Sequence, residues 1–505
     1  MCGIVAIHGE NANRWASCLD TMLDKISHRG PDDRGNWVND DMVLGQTRLS
    51  IIDVSGGKQP ITSEDEQKCI VCNGEIYNHL DLRKNLSHHT FKTRSDTESV
   101  LHLYEDIGED VVAQLDGMFA FAIKDGKDIL VARDPIGIKP LYEGHRDGCL
   151  FFASEIKALE GVVDTIKEFP AGHYYSSKTG WHKYYELPHV AYYENNVDDI
   201  AAMLQQKLTA AIQKRFMSDV PLGVFLSGGL DSSLISAVSR RHFDHLNSFS
   251  VGMAESRDLI YARQVSKFIG TDHHEYIYSK EEIVDALPDV IYHLESYDPA
   301  LVRSAIPTYF VSRMASEYVK VILTGEGSDE VFAGYHYFKD IDDEDALHNE
   351  SIRILSGLHN LNLQRVDRAT MAHSIEGRVP FLDIDFVEYA TSISPELKQI
   401  DDNRMEKWLL RKAFTGYLPD EVLWRTKVEF ADGCASSHVV EEYAEDNISD
   451  AEFEKERKNS ETIDISSKEE LYYYRLFRDF FGTEGMENTV GKWRGQLVKD
   501  IADRS

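Results

Sequence analysis

Basic residues are in short supply. Against 86 Asp and Glu the chain of 505 residues sets only 54 Lys and Arg, a formal net charge of −32 at pH 7. Such a field opposes a phosphate-tracking surface or a basic membrane face, so neither nucleic acid nor membrane is an expected partner. An anionic substrate would have to be held by local cations, helix N-termini or Mg²⁺. Cysteine is scarcer still: Cys2, Cys18, Cys69, Cys72, Cys149 and Cys434 are irregularly spaced, which excludes a disulfide framework and suits a reducing cytoplasm. Nowhere do about 18 apolar residues run together, and MCGIVAIHGE lacks a cationic start and the apolar length of a signal. A soluble, cytoplasmic protein is expected. Internal repeats are missing, as are GxxxxGK[ST], GxGxxG and HExxH, which removes the Walker A, dinucleotide-turn and helical metalloprotease readings.

What is present has globular proportions, 42% hydrophobic and 28% charged, and at ~100–200 residues per domain the length implies two to four domains. Up to about Glu186 short apolar runs such as MVLGQTRLSIIDV, CIVCNGEIYN and GMFAFAIKDGKDILVARD alternate with Gly, Asn and Asp turns. This is a strand-rich half, with DTESVLHLYEDIG as its clearest helix. From Asp198 strand and helix alternate through PLGVFLS, DSSLISAVSRRH, SFSVGM, DLIYARQVSKFIG and HHEYIYS, the pattern of a parallel sheet with helices on its faces. Domains over residues 2–188 and 198–505 follow, joined by YYELPHVAYYENNVDD. Past Phe338 the pattern is mainly helical, with an acidic loop DIDDEDA and a solvated charged stretch SDAEFEKERKNSET.

Cys2 is the first candidate nucleophile. Cytosolic processing commonly removes Met1 before a small side chain, and a thiol on the first residue has its own α-amine, of pKa ~7.7–8.0, as a built-in base. The alternative is a small hydrophobe opening a buried strand. Arg48, Asn73-Gly74-Glu75 and Asp96 stand at the ends of apolar runs where loops can present them. Arg48 would pair with an α-carboxylate, Asp96 with an α-ammonium, and Asn73 with the Gly74 N–H would form an oxyanion hole. Cys69-Ile-Val-Cys72 is read as structural, because on a strand the two thiols point to opposite faces. In the second half PLGVFLSGGLDSS is an apolar run ending in Ser-Gly-Gly and opening a helix, an anion cradle in which Ser227, Ser232 and Ser233 add hydroxyls and Asp231 could hold Mg²⁺.

MCGI, SHRGPD (27–32), LSIID, NGEIYN, GMFAFAI, ARDPIGIKPLY, ASEIKAL and FPAGHY stand in the order shown by class II, N-terminal-nucleophile glutamine amidotransferase domains, and HRGPD resembles the asparagine synthetase branch. SGGLDSS resembles the PP-loop of ATP pyrophosphatases, and VKVILTGEGSDEVFAGY, RATMAHSIEGRVPFLD, MEKWLLRKAF and LPDEVLWRTKVEFADG extend the resemblance to glutamine-hydrolysing asparagine synthetases over nearly the whole chain. The resemblance implies an αββα sandwich of two antiparallel sheets, an α+β N-terminal half, followed by an α/β parallel-sheet domain facing it. It implies glutamine at Arg48, Asn73, Glu75 and Asp96. It places ATP at Leu226, Ser227, Gly228, Gly229, Asp231, Ser232, Ser233, Val251, Thr324, Gly325 and Lys427, with magnesium pyrophosphate shared by Asp231 and Asp329. It also sets Glu326 near an acyl-adenylate, puts aspartate at Arg303 and Tyr335, requires no organic cofactor and allows a homodimer.

Two departures touch the acceptor. Well-known bacterial and animal members of that family carry two threonines after an Asp where this chain reads Asp298-Pro-Ala-Leu-Val-Arg303, so Ala300 and Leu301 cannot donate hydroxyl hydrogen bonds, and Val428 stands where those members have an acidic residue after Lys427. The alternative to aspartate amidation is a paralogue that uses the same machinery to adenylate another carboxylate. Amidotransferases feeding a sugar-phosphate domain lack SGGLDSS, and a non-enzymatic relic fits poorly with Cys2, Asp231, Glu326 and Asp329 all being present.

Overall fold

The computed structural model describes residues 2–187, 196–401, 403–459, 465–483 and 485–493. The first half is built from β1 (Cys2–His8), β2 (Asp33–Asn39), β3 (Met42–Arg48), β4 (Ile61–Thr62), β5 (Lys68–Ile76), β6 (Gly117–Asp125), β7 (Asp128–Arg133), β8 (Tyr142–Arg146), β9 (Cys149–Ala153), β10 (Thr165–Glu168), β11 (His173–Ser176) and β12 (Gly180–Lys183). They form two six-stranded antiparallel sheets, ordered β10-β8-β9-β1-β3-β2 and β12-β11-β7-β6-β5-β4. Strand alternation explains the layering. Ile4, Ala6 and Leu44 of the first sheet meet Cys69, Val71, Ala120 and Val131 of the second in a shared core. Val5, Ile7 and Val43 face out onto the helix Ala16–Lys25, and Ile70, Cys72, Phe119 and Phe121 onto the helix Asp96–Ile107. Because both faces of each sheet are covered, central strands read as unbroken apolar runs rather than alternating ones. Cys69 and Cys72 end in different cores, as the period of two requires.

The second half carries β13 (Leu222–Phe225), β14 (Asn247–Gly252), β15 (Asp272–Ile277), β16 (Val321–Leu323) and β17 (Glu376–Arg378), all parallel in the order β15-β14-β13-β16-β17. The chain first steps outward from β13 to β15 and then returns to the other side of β13. That reversal makes the carboxyl ends of β13 and β16 a topological switch point, where consecutive loops part and leave a crevice. The helix leading into this sheet begins at Val197, one residue ahead of the expected start; most of the expected linker, 188–195, lies outside the described residues. Past Phe338 the chain is mainly helical as expected. DIDDEDA is only partly a loop, since Asp343 caps the helix Glu344–Ser356 through the Ala346 N–H at 2.8 Å. The aromatic stripe of Lys468–Phe480 packs Tyr473 and Phe477 into the core.

The two halves meet across buried charge. Arg29, fully buried, donates to the Cys2 carbonyl at 3.0 Å, to Glu155 at 2.6 Å and bidentately to Asp367 of the second half at 2.7 and 3.0 Å. Lys157 joins Glu155 at 2.5 Å to Glu295 at 2.9 Å, and Arg368 reaches Glu295 at 2.9 Å. Burial alone would raise the Glu155 carboxyl, but Lys157, His28, Arg368 and Arg29 hold it well below the usual carboxylate range. Removing one member of such a network strands the others without solvent. Arg29→Met should therefore lose about 3–5 kcal/mol of stability in urea denaturation; a midpoint equal to the parent's would show that Lys157 and Arg368 satisfy both carboxylates unaided.

Candidate active site

In the first half, strand register does the positioning. Cys2 lies opposite Arg48 across β1 and β3. Its backbone N–H donates to Asn73 Oδ1 at 3.0 Å, which orients that amide and leaves Asn73 Nδ2 buried without a partner among the described residues. An unpaired donor beside a thiol is what an oxyanion hole requires. Gly74 holds φ at +152°, and a Cβ there would come within 2.0 Å of the Met118 carbonyl, so no side chain can stand between Asn73 and Glu75. Arg48 is oriented by the carbonyls of Ile52, Asp53 and Val54 at 3.1, 2.8 and 3.2 Å, which uses three of a guanidinium's five N–H donors. Asp96 accepts the Ile76 N–H at 2.7 Å, and Arg378 stands 3.6 Å from Glu75. Burial raises both carboxyls and also pushes the Cys2 thiol up. Cys2, Arg48, Asn73, Gly74, Glu75 and Asp96 are brought together, with Asn73, Gly74 and Glu75 within β5 and Asp96 opening a helix where loops are expected.

In the second half a cleft of about 1580 Å³ lies at the switch point. Leu226, Phe249 and Val251 give it one apolar wall; Ser227, Gly229, Asp231, Ser232, Thr324, Gly325 and Lys427 also line it. The loops after β13 and β16 approach so closely that a Cβ on Gly325 would sit 2.8 Å from Asp231 Cβ. Asp231, in the first turn of the helix Leu230–Arg240, accepts from Ser328 Oγ at 2.7 Å and from Lys407 at 2.6 Å. Asp329 pairs with the same Lys407 at 2.7 Å and with Lys427. Burial alone would raise Asp329, yet Lys407 and Lys427 bring it far below the usual range; burial opposes the Lys407 ammonium, and the two aspartates more than offset that. Glu326 meets Arg365 at 2.5 Å. Tyr335 donates to Glu330 at 2.5 Å, and burial, reinforced by Asp329, lifts Glu330 to about 7.

Several expected residues are elsewhere or otherwise engaged. Ser233 is fully buried and outside the cleft lining, because helical rotation from Ser232 turns it inward. Gly228 also lies behind the lining, where its carbonyl accepts from Arg425 at 3.2 Å. Arg303 reaches the cleft wall, but its guanidinium forks onto Glu469, which Tyr473 holds at 2.9 Å. Ala300 and Leu301 both line the cleft, and Leu301, 3% exposed, is also part of the core behind it.

Residues that motif reading passed over include Lys407, although MEKWLLRKAF contains it; its φ of 56° is a left-handed strain that only surrounding structure maintains. Glu406 accepts the Lys427 backbone N–H at 2.8 Å and Arg411 at 2.7 Å, and so sets where Lys427 points. Arg425 ties Asp258 at 2.8 Å to the Gly228 turn.

A thiol site for an amide and a carboxylate and lysine site for a polyphosphate, each at the end of its own sheet, define an enzyme of the glutamine amidotransferase class with a second, nucleotide-type site. Residues 1–193 match the family described as "Glutamine amidotransferase domain", and residues 203–343 and 339–495 that described as "Asparagine synthase". A probable glutamine-hydrolysing asparagine synthetase of Dictyostelium discoideum is 41% identical over 98% of this chain and 96% of its own length. Its counterpart in Schizosaccharomyces pombe is 40% identical over the same shares, and asparagine synthetase 2 of Arabidopsis thaliana is 40% identical over 97% of this chain and 89% of its own. The chain belongs to the glutamine-hydrolysing asparagine synthetase family.

Lys407 provides the sharpest test of the cleft. Lys407 Nζ sits between Asp231 and Asp329, and a cation so placed should be worth about 10²–10³ in rate if a polyphosphate reacts there. Lys407→Met should lower pyrophosphate release by that factor while glutamate release from glutamine continues. Undiminished pyrophosphate release would reduce Lys407 to a counter-ion of Asp231 and Asp329.

Proposed function

We propose that the chain amidates L-aspartate to L-asparagine, using ammonia from glutamine and cleaving ATP to AMP and pyrophosphate. The observation that carries this reading is the convergence of Asp231 and Asp329, from the ends of adjacent parallel strands, on Lys407, in a cleft backed by an apolar core that continues into the glutamine half. That core runs from Leu49, Ile51, Met118 and Ile138 to Val224, Leu226 and Leu323.

At the first site Arg48 takes the glutamine α-carboxylate and Asp96 with Glu75 the α-ammonium. The raised Cys2 thiol does not ionise in advance, so its proton passes to a base as sulfur attacks the carboxamide carbon. With Met1 removed that base is the residue's own α-amine, at the nitrogen Asn73 Oδ1 faces; Met1 itself lies outside the described residues. Asn73 Nδ2 and the Gly74 N–H stabilise the oxyanion. The C–N bond breaks, ammonia leaves with the proton, and water hydrolyses the thioester to glutamate.

At the second site the carboxylate oxygens of Asp231 and Asp329 are the donors a hard Mg²⁺ takes, and Mg²⁺ entering with ATP would neutralise the pyrophosphate oxygens. The Ser-Gly-Gly turn and the helix N-terminus receive the phosphates, Lys427 and Lys407 oppose their charge, and Leu226 and Val251 flank the base. The aspartate β-carboxylate attacks the α-phosphorus, pyrophosphate leaves, and ammonia attacks the β-aspartyl carbonyl to release AMP, with Glu326 beside the acyl group. With its guanidinium held by Glu469, Arg303 meets the acceptor's α-carboxylate only if that pair opens.

Product analysis separates the two chemistries. Cys2→Ala should abolish asparagine formation from glutamine yet leave formation from ammonium salt, and Asp231→Asn should stop AMP release while glutamate still appears. If the parent enzyme gives AMP with another carboxylate and none above background with aspartate, the acceptor is not aspartate.

A further inference from the structure

A cluster of side chains on the far side of the first half has no part in either site. Glu64 comes from the turn between β4 and β5, His89 from the segment after the helix His79–Asn85, and His102 and Glu105 from one face of the helix Asp96–Ile107, three residues apart. Their ligand atoms all lie within 4.8 Å of one another. His89 Nδ1 stands 3.6 Å from Glu64 Oε2 and 3.6 Å from Glu105 Oε2; His102 Nδ1 stands 3.9 Å from Glu64 Oε2 and 2.7 Å from Glu105 Oε2. A tetrahedral zinc site with bonds of ~2.0–2.1 Å has ligand-to-ligand edges of about 3.3–3.4 Å. The four separations straddle that value, and the remaining two edges lie within 4.8 Å, so side-chain rotations would bring the four atoms to a tetrahedron.

The surroundings carry a second, independent mark. A metal-bound imidazole almost always gives its other ring nitrogen to a carboxylate, which fixes the tautomer. His89 Nε2 lies 3.0 Å from Asp106 Oδ1, an oxygen that His88 Nε2 also meets at 3.0 Å. The rings of His89 and His102 are stacked, with centroids 4.6 Å apart, so a shared ion requires one ring to rotate until the two Nδ1 lone pairs converge. The cluster is also reachable: His102 is 1% exposed, His89 and Glu105 are 13% exposed and Glu64 is 37% exposed.

We propose that Glu64, His89, His102 and Glu105 form a structural site for a divalent transition cation of the zinc type, with Asp106 orienting His89. Two neutral imidazoles and two carboxylates make a site neutral once a 2+ ion is bound, and N/O ligation of this kind favours borderline ions over Mg²⁺ or Ca²⁺. The ion would tie three segments that otherwise meet through side chains alone. One of them begins with Asp96 of the glutamine pocket, and Glu98 on the same helix accepts the Lys92 and Thr93 N–H groups at 2.6 and 2.7 Å, so the wall leading to Asp96 hangs on the stapled helix.

The test uses the full chain, free of any affinity tag, stripped with a chelator, kept in excess Mg²⁺ to occupy the carboxylates of the ATP cleft, and titrated with Co²⁺ alone. The expected result is one Co²⁺ per chain with the visible absorption of a tetrahedral site, no thiolate-to-cobalt band, and displacement by Zn²⁺. His89→Ala and Glu64→Gln should each abolish that spectrum, while Asp106→Asn should weaken binding about 10–100-fold. Retained circular dichroism shows that each variant is folded, and the exposed Glu64 makes its variant the safer of the two. Absence of a stoichiometric tetrahedral spectrum in the parent protein, or its persistence in a folded Glu64→Gln or His89→Ala variant, overturns the site and leaves a hydrogen-bonded histidine and glutamate cluster.

Discussion

Arg29 is a full charge removed from water between two half-enzymes, and the relation of one to the other rests on how that charge is satisfied. One guanidinium reads the backbone at Cys2, the Glu155 carboxylate behind it and Asp367 on the opposing domain. Its planar fork allows all three at once, which a lysine could not do. A buried ionic seam of this kind is poor glue compared with an apolar one, because desolvation consumes much of the Coulombic gain. It is nevertheless intolerant of misregister: a shift of an ångström or two leaves Glu155, Asp367, Lys157 or Arg368 unpaired in a dry interior. The seam therefore fixes where the second sheet stands relative to the thiol.

The second site solves the opposite electrostatic problem. Asp231, Asp329 and Glu326 crowd one crevice in a chain already carrying −32, and the proposed polyphosphate would still have to approach. Lys407 and Lys427 are held by the same carboxylates that a cation entering with the nucleotide would occupy. Before ligand arrives they hold Asp329 ionised; the incoming phosphates of the proposed reaction would give the ammonium groups anionic oxygens to turn to. Local cations thus overrule a global field whose influence is screened within about 8–10 Å at ordinary ionic strength.

How much of this could be read in the sequence follows from the range of each determinant. The two sheets, their helices and the parallel second half are written in apolar periodicity and in turns, which act over a few residues. The placement of Cys2 opposite Arg48 follows from strand pairing, and SGGLDSS announces itself by ending one strand and starting a helix. Lys407 is different: it stands on no strand end, and its meaning comes from Asp231, 176 residues away in the chain. Likewise Arg303 looks free in sequence because Glu469 lies 166 residues downstream. Ser233 misled for a local reason, since adjacent hydroxyls on a helix are 100° apart and only one can face the cleft. Arg29 was visible as part of HRGPD, but its work in joining the halves required Asp367 to be seen beside it.

Joining the two proposed chemistries through ammonia imposes one more constraint. Ammonia is useful only while unprotonated, and bulk water at neutral pH would protonate almost all of it. A product of the first site must therefore reach the second without meeting solvent. The charged seam cannot carry it, since a neutral amine would have to displace hydrogen bonds already made among Arg29, Glu155 and Asp367. Beside that seam the apolar cluster is continuous from Leu49 next to the thiol strand, through Met118 and Ile138, to Val379, Leu323 and Leu226 under the cleft. Charge fixes the alignment of the domains, and the apolar core alongside it is the uncharged ground that the proposed transfer of ammonia would use, because an interface made only of ions would leave ammonia no unprotonated route.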